Sequence, residues 1–79
     1  MDDVTGRLRA LIAAKLEADP AGIREDTDLV TELGADSLAI VELMMAVEEE
    51  MGIRVDEEAA DRVRTFGDAV ALVRSSAAA

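Results

Sequence analysis

Ser37 is the side chain with the clearest chemical potential in the sequence, because it directly follows Asp36 at the start of an apolar helical pattern. A serine hydroxyl is a poor nucleophile at its ordinary pKa and needs a neighbouring base to become a good one. The chain has no histidine or cysteine, and its one lysine, Lys15, lies in a different helical segment. A catalytic triad therefore cannot be assembled. The sequence predicts no catalytic residues and a protein that is not an enzyme.

Local chemistry leaves two uses of Ser37 open. Beside an aspartate that caps a helix, a serine is in most proteins only a part of the cap. A hydroxyl exposed at a helix N-terminus is also a good attachment point for a phosphodiester, because free backbone N–H groups and the helix dipole favour an anion there. Nearby acidic side chains oppose that effect.

The composition excludes several kinds of site and partner. Without cysteine or histidine, the chain can form neither a disulfide nor a thiolate or imidazole metal site, and no metal site is predicted. The net charge is −10, and residues 25–61 contain thirteen acids against one base. Such a field repels nucleic acid and anionic membranes, so neither is an expected partner. The acids either confer solubility alone or speed encounters with basic proteins.

Helical periodicity predicts four helices. Their predicted segments are 3–17, 37–51, 56–63 and 65–74. Asp36 is a good N-cap for the second helix, and Gly52 is a good stop. Thr65 and Asp68 resemble a capping box at the start of the last helix, with aspartate in place of glutamate. The residues of the last helix predicted to face the core are Phe66, Val70 and Val73.

We therefore expect an all-α fold, an antiparallel bundle of three main helices plus a short third helix, with a long loop between helices 1 and 2. Ile23, Leu29 and Leu33 recur through that loop and are predicted to pin it to the core. One domain is expected over residues 1–75, with residues 76–79 as a flexible tail. We also expect a monomer without a membrane span. The absence of cysteine fits a reducing compartment and predicts a cytoplasmic location.

The second helix has two apolar faces when its residues are placed at 100° intervals. The predicted core face consists of Ile40, Leu43, Met44, Val47 and Met51. A separate stripe consists of Leu38, Val41 and Met45, and the acids that flank it are Glu42, Glu48 and Glu49. The stripe is either buried against the first loop or the third helix, or it is a docking surface with an acidic rim.

The residues around Ser37 resemble a known family. Leu33-Gly34-Ala35-Asp36-Ser37-Leu38, followed by Val41-Glu42-Leu43 and Glu48-Glu49-Glu50, closely resembles the acyl carrier proteins of fatty-acid and polyketide synthesis. The resemblance extends from the first helix through Thr65-Phe66-Gly67-Asp68-Ala69-Val70, and so covers nearly the whole chain.

This resemblance implies a cofactor and a set of partners. A phosphopantetheinyl transferase would attach 4′-phosphopantetheine from coenzyme A to Ser37, in a site that includes Asp36 and Leu38. The thiol of the arm would carry acyl groups as thioesters between enzymes with basic patches, such as acyltransferases and ketosynthases. The face that these partners recognise would consist of Leu38, Val41, Glu42, Met45, Glu48 and Glu49.

Some positions depart from the pattern of fatty-acid carriers. Ala39 replaces a frequent acid, Val55 precedes Asp56 without the usual proline, and Arg54 adds a positive charge. These departures leave the polyketide and fatty-acid pathways both open. A peptidyl or aryl carrier of nonribosomal synthesis is a second hypothesis, although Ala35 stands where such domains more often have glycine. A third hypothesis is an acidic helical interaction module without a prosthetic group.

Overall fold

The computed structural model describes residues 3–78, and this part of the chain is helical apart from its connecting turns and one isolated β-bridge. The helices are α1 (Asp3–Leu16), α2 (Ser37–Met51), α3 (Glu57–Ala60) and α4 (Phe66–Ala78), with a short 3₁₀ turn at Pro20–Gly22. Helix α1 contacts α2 and α4, and the short helix α3 contacts the same two helices. The predicted all-α bundle of three main helices and one short helix is confirmed.

Both ends of α2 form as their residue types predict. At the N-terminus, the Asp36 carboxylate accepts a hydrogen bond from the backbone N–H of Ala39 at 2.8 Å. At the C-terminus, Gly52 has φ of 66°, a left-handed conformation that costs a glycine little, and its N–H donates to the Glu48 carbonyl. Helix α2 therefore begins at Ser37 and ends at Met51, as predicted.

Of the other predicted helix bounds, two differ from the structure by more than one residue. Helix α3 ends at Ala60 rather than at residue 63, because Arg62 and Val63 donate to carbonyls only three residues back and the chain tightens into turns. Helix α4 continues to Ala78, four residues past its predicted end, in a segment rich in the helix former alanine. Ala79 lies outside the described residues, and the domain limit at residue 75 with a flexible tail stays a prediction.

The core lies between the helices and the first loop. Its largest fully buried side chains are Phe66, Leu8, Ile12, Leu29, Leu43, Val47 and Val73. Ile23 and Leu29 are buried and Leu33 packs against the core, so the prediction that they pin the loop is confirmed. The predicted inward side chains of α4 are also buried.

Backbone hydrogen bonds fix the first loop to the segment that precedes α4. The Leu29 N–H donates to the Arg64 carbonyl at 2.7 Å, and the Phe66 N–H donates to the Thr27 carbonyl at 2.9 Å. The predicted capping box forms beside them. Asp68 N–H donates to Thr65 Oγ1, and Thr65 N–H donates to Asp68 Oδ2, both at 3.1 Å. The loop that leads to Ser37 is thus anchored by the far end of the chain.

The Asp68 carboxylate is held by backbone donors. The N–H of Thr65, followed by that of Arg64, lowers the pKa of Asp68 below its ordinary value. The carboxylate is therefore ionised at neutral pH, and this cap loses strength only when the solution becomes strongly acidic.

Gly67 is the one described glycine at which an added methyl group would meet the first loop. Its N–H donates to the Glu25 carbonyl at 2.8 Å, and a Cβ at this position would lie 2.9 Å from that same oxygen. We expect Gly67→Ala to lower the free energy of unfolding by about 1–3 kcal/mol, because the backbone of the loop must move away. Urea denaturation followed by far-UV circular dichroism measures this change.

Gly6→Ala is the matched control. Gly6 is the fourth residue of α1, is exposed, and has nothing within 4 Å of an added Cβ. We expect this substitution to raise the free energy of unfolding by about 0.5–1 kcal/mol, because alanine favours the helix over glycine. Equal stabilisation of both variants would contradict the close approach of Gly67 to Glu25.

Candidate functional site

Ser37 is exposed at the first residue of α2. Its hydroxyl makes no hydrogen bond within the described part of the chain, so it is not used in the cap. Asp36 caps the helix alone, through Ala39 N–H. The backbone N–H groups of Ser37 and Leu38 belong to the first turn, where a helix offers donors without helical partners. Of the two uses that local chemistry left open, attachment therefore fits the geometry better than capping.

The residues around Ser37 fit a phosphodiester. The open hydroxyl can be esterified without breaking a contact of the protein, and the start of a 15-residue helix favours an anion. A 4′-phosphopantetheine on this hydroxyl would supply a thiol, a group that the chain itself lacks because it contains no cysteine.

The second apolar stripe of α2 is exposed. Leu38 is 65% accessible, Met45 is 60% accessible and Val41 is 37% accessible. Neither the first loop nor α3 covers these side chains, so the hypothesis that the stripe is buried is wrong. The opposite face of the helix is buried as predicted, through Ile40, Leu43, Met44 and Val47, while Met51 is partly buried against the core.

The three glutamates beside the stripe have different surroundings. Glu42 and Glu49 are exposed, and neither has a hydrogen bond or ion pair from its carboxylate within residues 3–78. Glu48 is partly buried, and its Oε2 accepts a hydrogen bond from the Val55 backbone N–H at 2.7 Å. Glu48 therefore fixes the connection between α2 and α3, a role that no local sequence signal indicated.

A groove of about 650 Å³ lies between α2 and α3 and adjoins the stripe. Val41, Met45 and Glu48 line it from α2, together with Met44, while Val55 and Ala60 line it from the following segment. The structure thus brings three of the six predicted docking residues to one groove edge. Leu38, Glu42 and Glu49 lie outside its lining.

Arg64 also reaches the neighbourhood of Ser37, and sequence analysis did not identify it. The two residues line one cavity of about 440 Å³. They are far apart in sequence, and their presence at one cavity depends on the way the first loop pairs with the segment before α4. A tertiary arrangement of this kind leaves no pattern in either segment alone.

Two kinds of feature are absent from residues 3–78. No cluster of three or more aspartates and glutamates is arranged to hold a metal ion in this part of the chain. Within the same residues, the longest helices are too short and too polar to cross a lipid bilayer.

Comparison with known proteins gives a consistent result. The family profile described as "Phosphopantetheine attachment site" matches residues 6–73. A protein named "Acyl carrier protein" from Phenylobacterium zucineum is 43% identical over 74 residues, which cover 94% of both chains. The protein of the same name from Caulobacter vibrioides is 41% identical over 78 residues, 99% of this chain and 100% of the relative. That from Treponema pallidum is 45% identical over 75 residues, 95% and 96% of the two chains.

These matches span nearly the whole chain and agree with the exposed serine at the start of α2. The curated relatives are named as carriers, which is consistent with the prediction that the chain is not itself an enzyme. The chain belongs to the acyl carrier proteins of the phosphopantetheine attachment family, and its cofactor is a covalently attached 4′-phosphopantetheine.

Proposed function

We propose that Ser37 is the residue that carries the 4′-phosphopantetheine, with Asp36 and Leu38 on either side of the attachment point. The observation that carries this proposal is the exposed Ser37 hydroxyl, which has no partner in the described chain and stands at the start of α2. Asp36 keeps the helix start in place through its bond to Ala39. Leu38, with 65% of its surface accessible, offers an apolar contact directly beside the modified hydroxyl.

The surface that follows Ser37 along α2 is proposed as the docking surface for partner enzymes. It consists of Leu38, Val41, Glu42, Met45, Glu48 and Glu49. The apolar side chains would provide contact area, and the acids would attract basic patches and set the register. A surface of this modest size suits a carrier that must bind and leave successive enzymes quickly.

The arm would hold acyl intermediates as thioesters and present them to enzymes of fatty-acid or polyketide biosynthesis. The expected partners are a phosphopantetheinyl transferase, acyltransferases and ketosynthases with basic docking patches. Relatives named acyl carrier proteins support acyl cargo over the peptidyl or aryl alternative. We propose that the protein acts as a cytoplasmic monomer.

Attachment at Ser37 is tested by incubating the apo-protein with coenzyme A, Mg²⁺ and a broad-specificity phosphopantetheinyl transferase. Intact-protein mass spectrometry is expected to show the addition of one phosphopantetheine group to the wild type and none to Ser37→Ala. The matched control is Ser75→Ala, which removes another exposed serine hydroxyl. That variant is expected to be modified as fully as the wild type.

Two outcomes would contradict the proposal. A mass gain that persists in Ser37→Ala would place the arm on another residue. An unmodified wild type, in a reaction where a known carrier is fully converted, would favour the acidic interaction module without a prosthetic group.

A further inference from the structure

The cavity beside Ser37 is lined by one basic residue and two acidic residues. Its volume is about 440 Å³, and its lining consists of Val30, Asp36, Ser37, Ile40, Asp61, Val63 and Arg64. Among these described residues, Arg64 alone carries a positive charge, against two carboxylates. The three apolar side chains come from the first loop, α2 and the segment before α4. The cavity therefore joins the attachment point to a part of the chain distant in sequence.

The backbone of Arg64 is fixed from both sides. Its carbonyl accepts a hydrogen bond from the Leu29 N–H at 2.7 Å, and its own N–H donates to Asp68 Oδ2 at 3.1 Å. These bonds tie the residue to the first loop and to the capping box of α4. The fold thus fixes the backbone position from which the Arg64 side chain extends.

The Arg64 guanidinium is oriented by Asp28. Its Nε lies 3.4 Å from Asp28 Oδ2, while Asp28 Oδ1 accepts hydrogen bonds from Val30 and Thr31 N–H groups at 2.8 and 2.9 Å. The Thr31 N–H is the main cause that lowers the pKa of Asp28, and the Val30 N–H and Arg64 add to it. The ion pair occupies the Nε side of the guanidinium. No partner for the two terminal nitrogens is present among residues 3–78.

A phosphodiester on Ser37 would add a negative charge next to Asp36 and Asp61. Repulsion from these carboxylates would push the group outward unless a cation offset it. Arg64 is placed to do so, because the planar guanidinium has terminal N–H donors whose spacing matches two phosphate oxygens. An arginine already held by a carboxylate loses less side-chain freedom when it binds a second anion.

We propose that Arg64 binds the phosphate of the phosphopantetheine arm and so directs the start of the arm toward the cavity that it lines with Ser37. This inference rests on the proposed attachment at Ser37. Arg64 is a positioning residue in this scheme. It does not take part in the attachment reaction or in the chemistry of the thioester.

Arg64→Gln is the test variant and Arg62→Gln is its matched control. Both substitutions remove one exposed arginine from the same short segment, but Arg62 does not line the cavity. Each variant and the wild type is prepared in apo and holo forms, with conversion followed by intact mass. Two quantities are then measured: the thermal midpoint of each form, and the arginine Nε–Hε signals in ¹H–¹⁵N spectra at mildly acidic pH.

We expect conversion to the holo form to move the Arg64 Nε–Hε signal in the wild type and in Arg62→Gln. The difference in midpoint between holo and apo forms is expected to be about 1–4 °C more favourable in those two proteins than in Arg64→Gln, as for an exposed ion pair in a small domain. This advantage should shrink in 1 M NaCl, because the Debye length there is only about 3 Å.

The outcomes separate this inference from the one on which it depends. An Arg64 signal unmoved by conversion, or a holo–apo difference in Arg64→Gln equal to that in Arg62→Gln, overturns the role of Arg64 while attachment at Ser37 stands. Absence of any mass gain in the wild type overturns attachment and this inference with it.

Discussion

Reversing the charges of Glu42 and Glu49 together is expected to lower the kcat/KM of phosphopantetheinyl transfer to Ser37 by about tenfold to a hundredfold at low salt. Both carboxylates are exposed beside the apolar stripe and have no partner in the described chain, so they are available to a basic enzyme surface. The Glu42→Lys/Glu49→Lys variant would replace attraction by repulsion during the encounter. Initial rates at low salt and near 1 M NaCl measure the effect, which should largely disappear at the higher concentration.

Glu48 is left unchanged in this experiment for a structural reason. Its carboxylate accepts the Val55 N–H at 2.7 Å and so holds the connection between α2 and α3. A lysine at this position would lose that bond and leave the backbone donor of Val55 without its acceptor. A lower rate in such a variant could come from the altered charge of the docking surface or from an altered groove between α2 and α3, and the two causes could not be separated.

The control variant carries the same change in net charge away from the stripe. Asp26→Lys/Glu50→Lys alters two exposed acids, one in the first loop and one on the side of α2 that faces α1. Its rate is expected to stay within about twofold of the wild type, since the lost charges do not adjoin Ser37. Equal losses in the two double variants would mean that net charge, and not a local docking surface, governs the reaction.

The parts of the fold that sequence analysis predicted are those specified by local residue types. Asp36 and Gly52 bound α2 because a carboxylate cap and a left-handed glycine act on the helix ends beside them. The capping box of Thr65 and Asp68 depends on two residues in the same turn. Helical periodicity also predicted the second apolar stripe of α2, but it left open whether that stripe is buried or exposed.

The parts that sequence analysis missed depend on contacts between distant segments. Glu48 was predicted as a rim residue, yet its bond to Val55 requires the chain to turn back after Gly52. Arg64 meets the surroundings of Ser37 only because Leu29 and Phe66 pair the first loop with the segment before α4. The local sequence around one residue of such a pair does not predict which distant residue it will meet.

Phe66 is the residue whose truncation is expected to have the largest effect on stability. It is the one aromatic residue of the chain, it is only 1% accessible, and Arg9 lies over its ring at 5.1 Å. Phe66→Ala is expected to lower the free energy of unfolding by about 3–5 kcal/mol, because the remaining aliphatic core cannot fill the cavity. The whole free energy of unfolding of a domain of this length is roughly 4–12 kcal/mol, so the variant should be close to unfolding.

Phe66→Leu distinguishes loss of packing from loss of the contact with Arg9. Both substitutions remove the ring and its attraction for the guanidinium, which is worth about 0.5–1 kcal/mol, but leucine keeps most of the buried volume. We expect Phe66→Leu to lower the free energy of unfolding by about 1–2 kcal/mol.

Because the chain has no tryptophan or tyrosine, urea denaturation is followed by far-UV circular dichroism rather than by fluorescence. Similar losses in the two variants would contradict a packing role and assign the effect to the ring itself. The larger loss in Phe66→Ala would instead show that this side chain fills the core where the first loop joins α4, the junction that also holds Arg64 near Ser37.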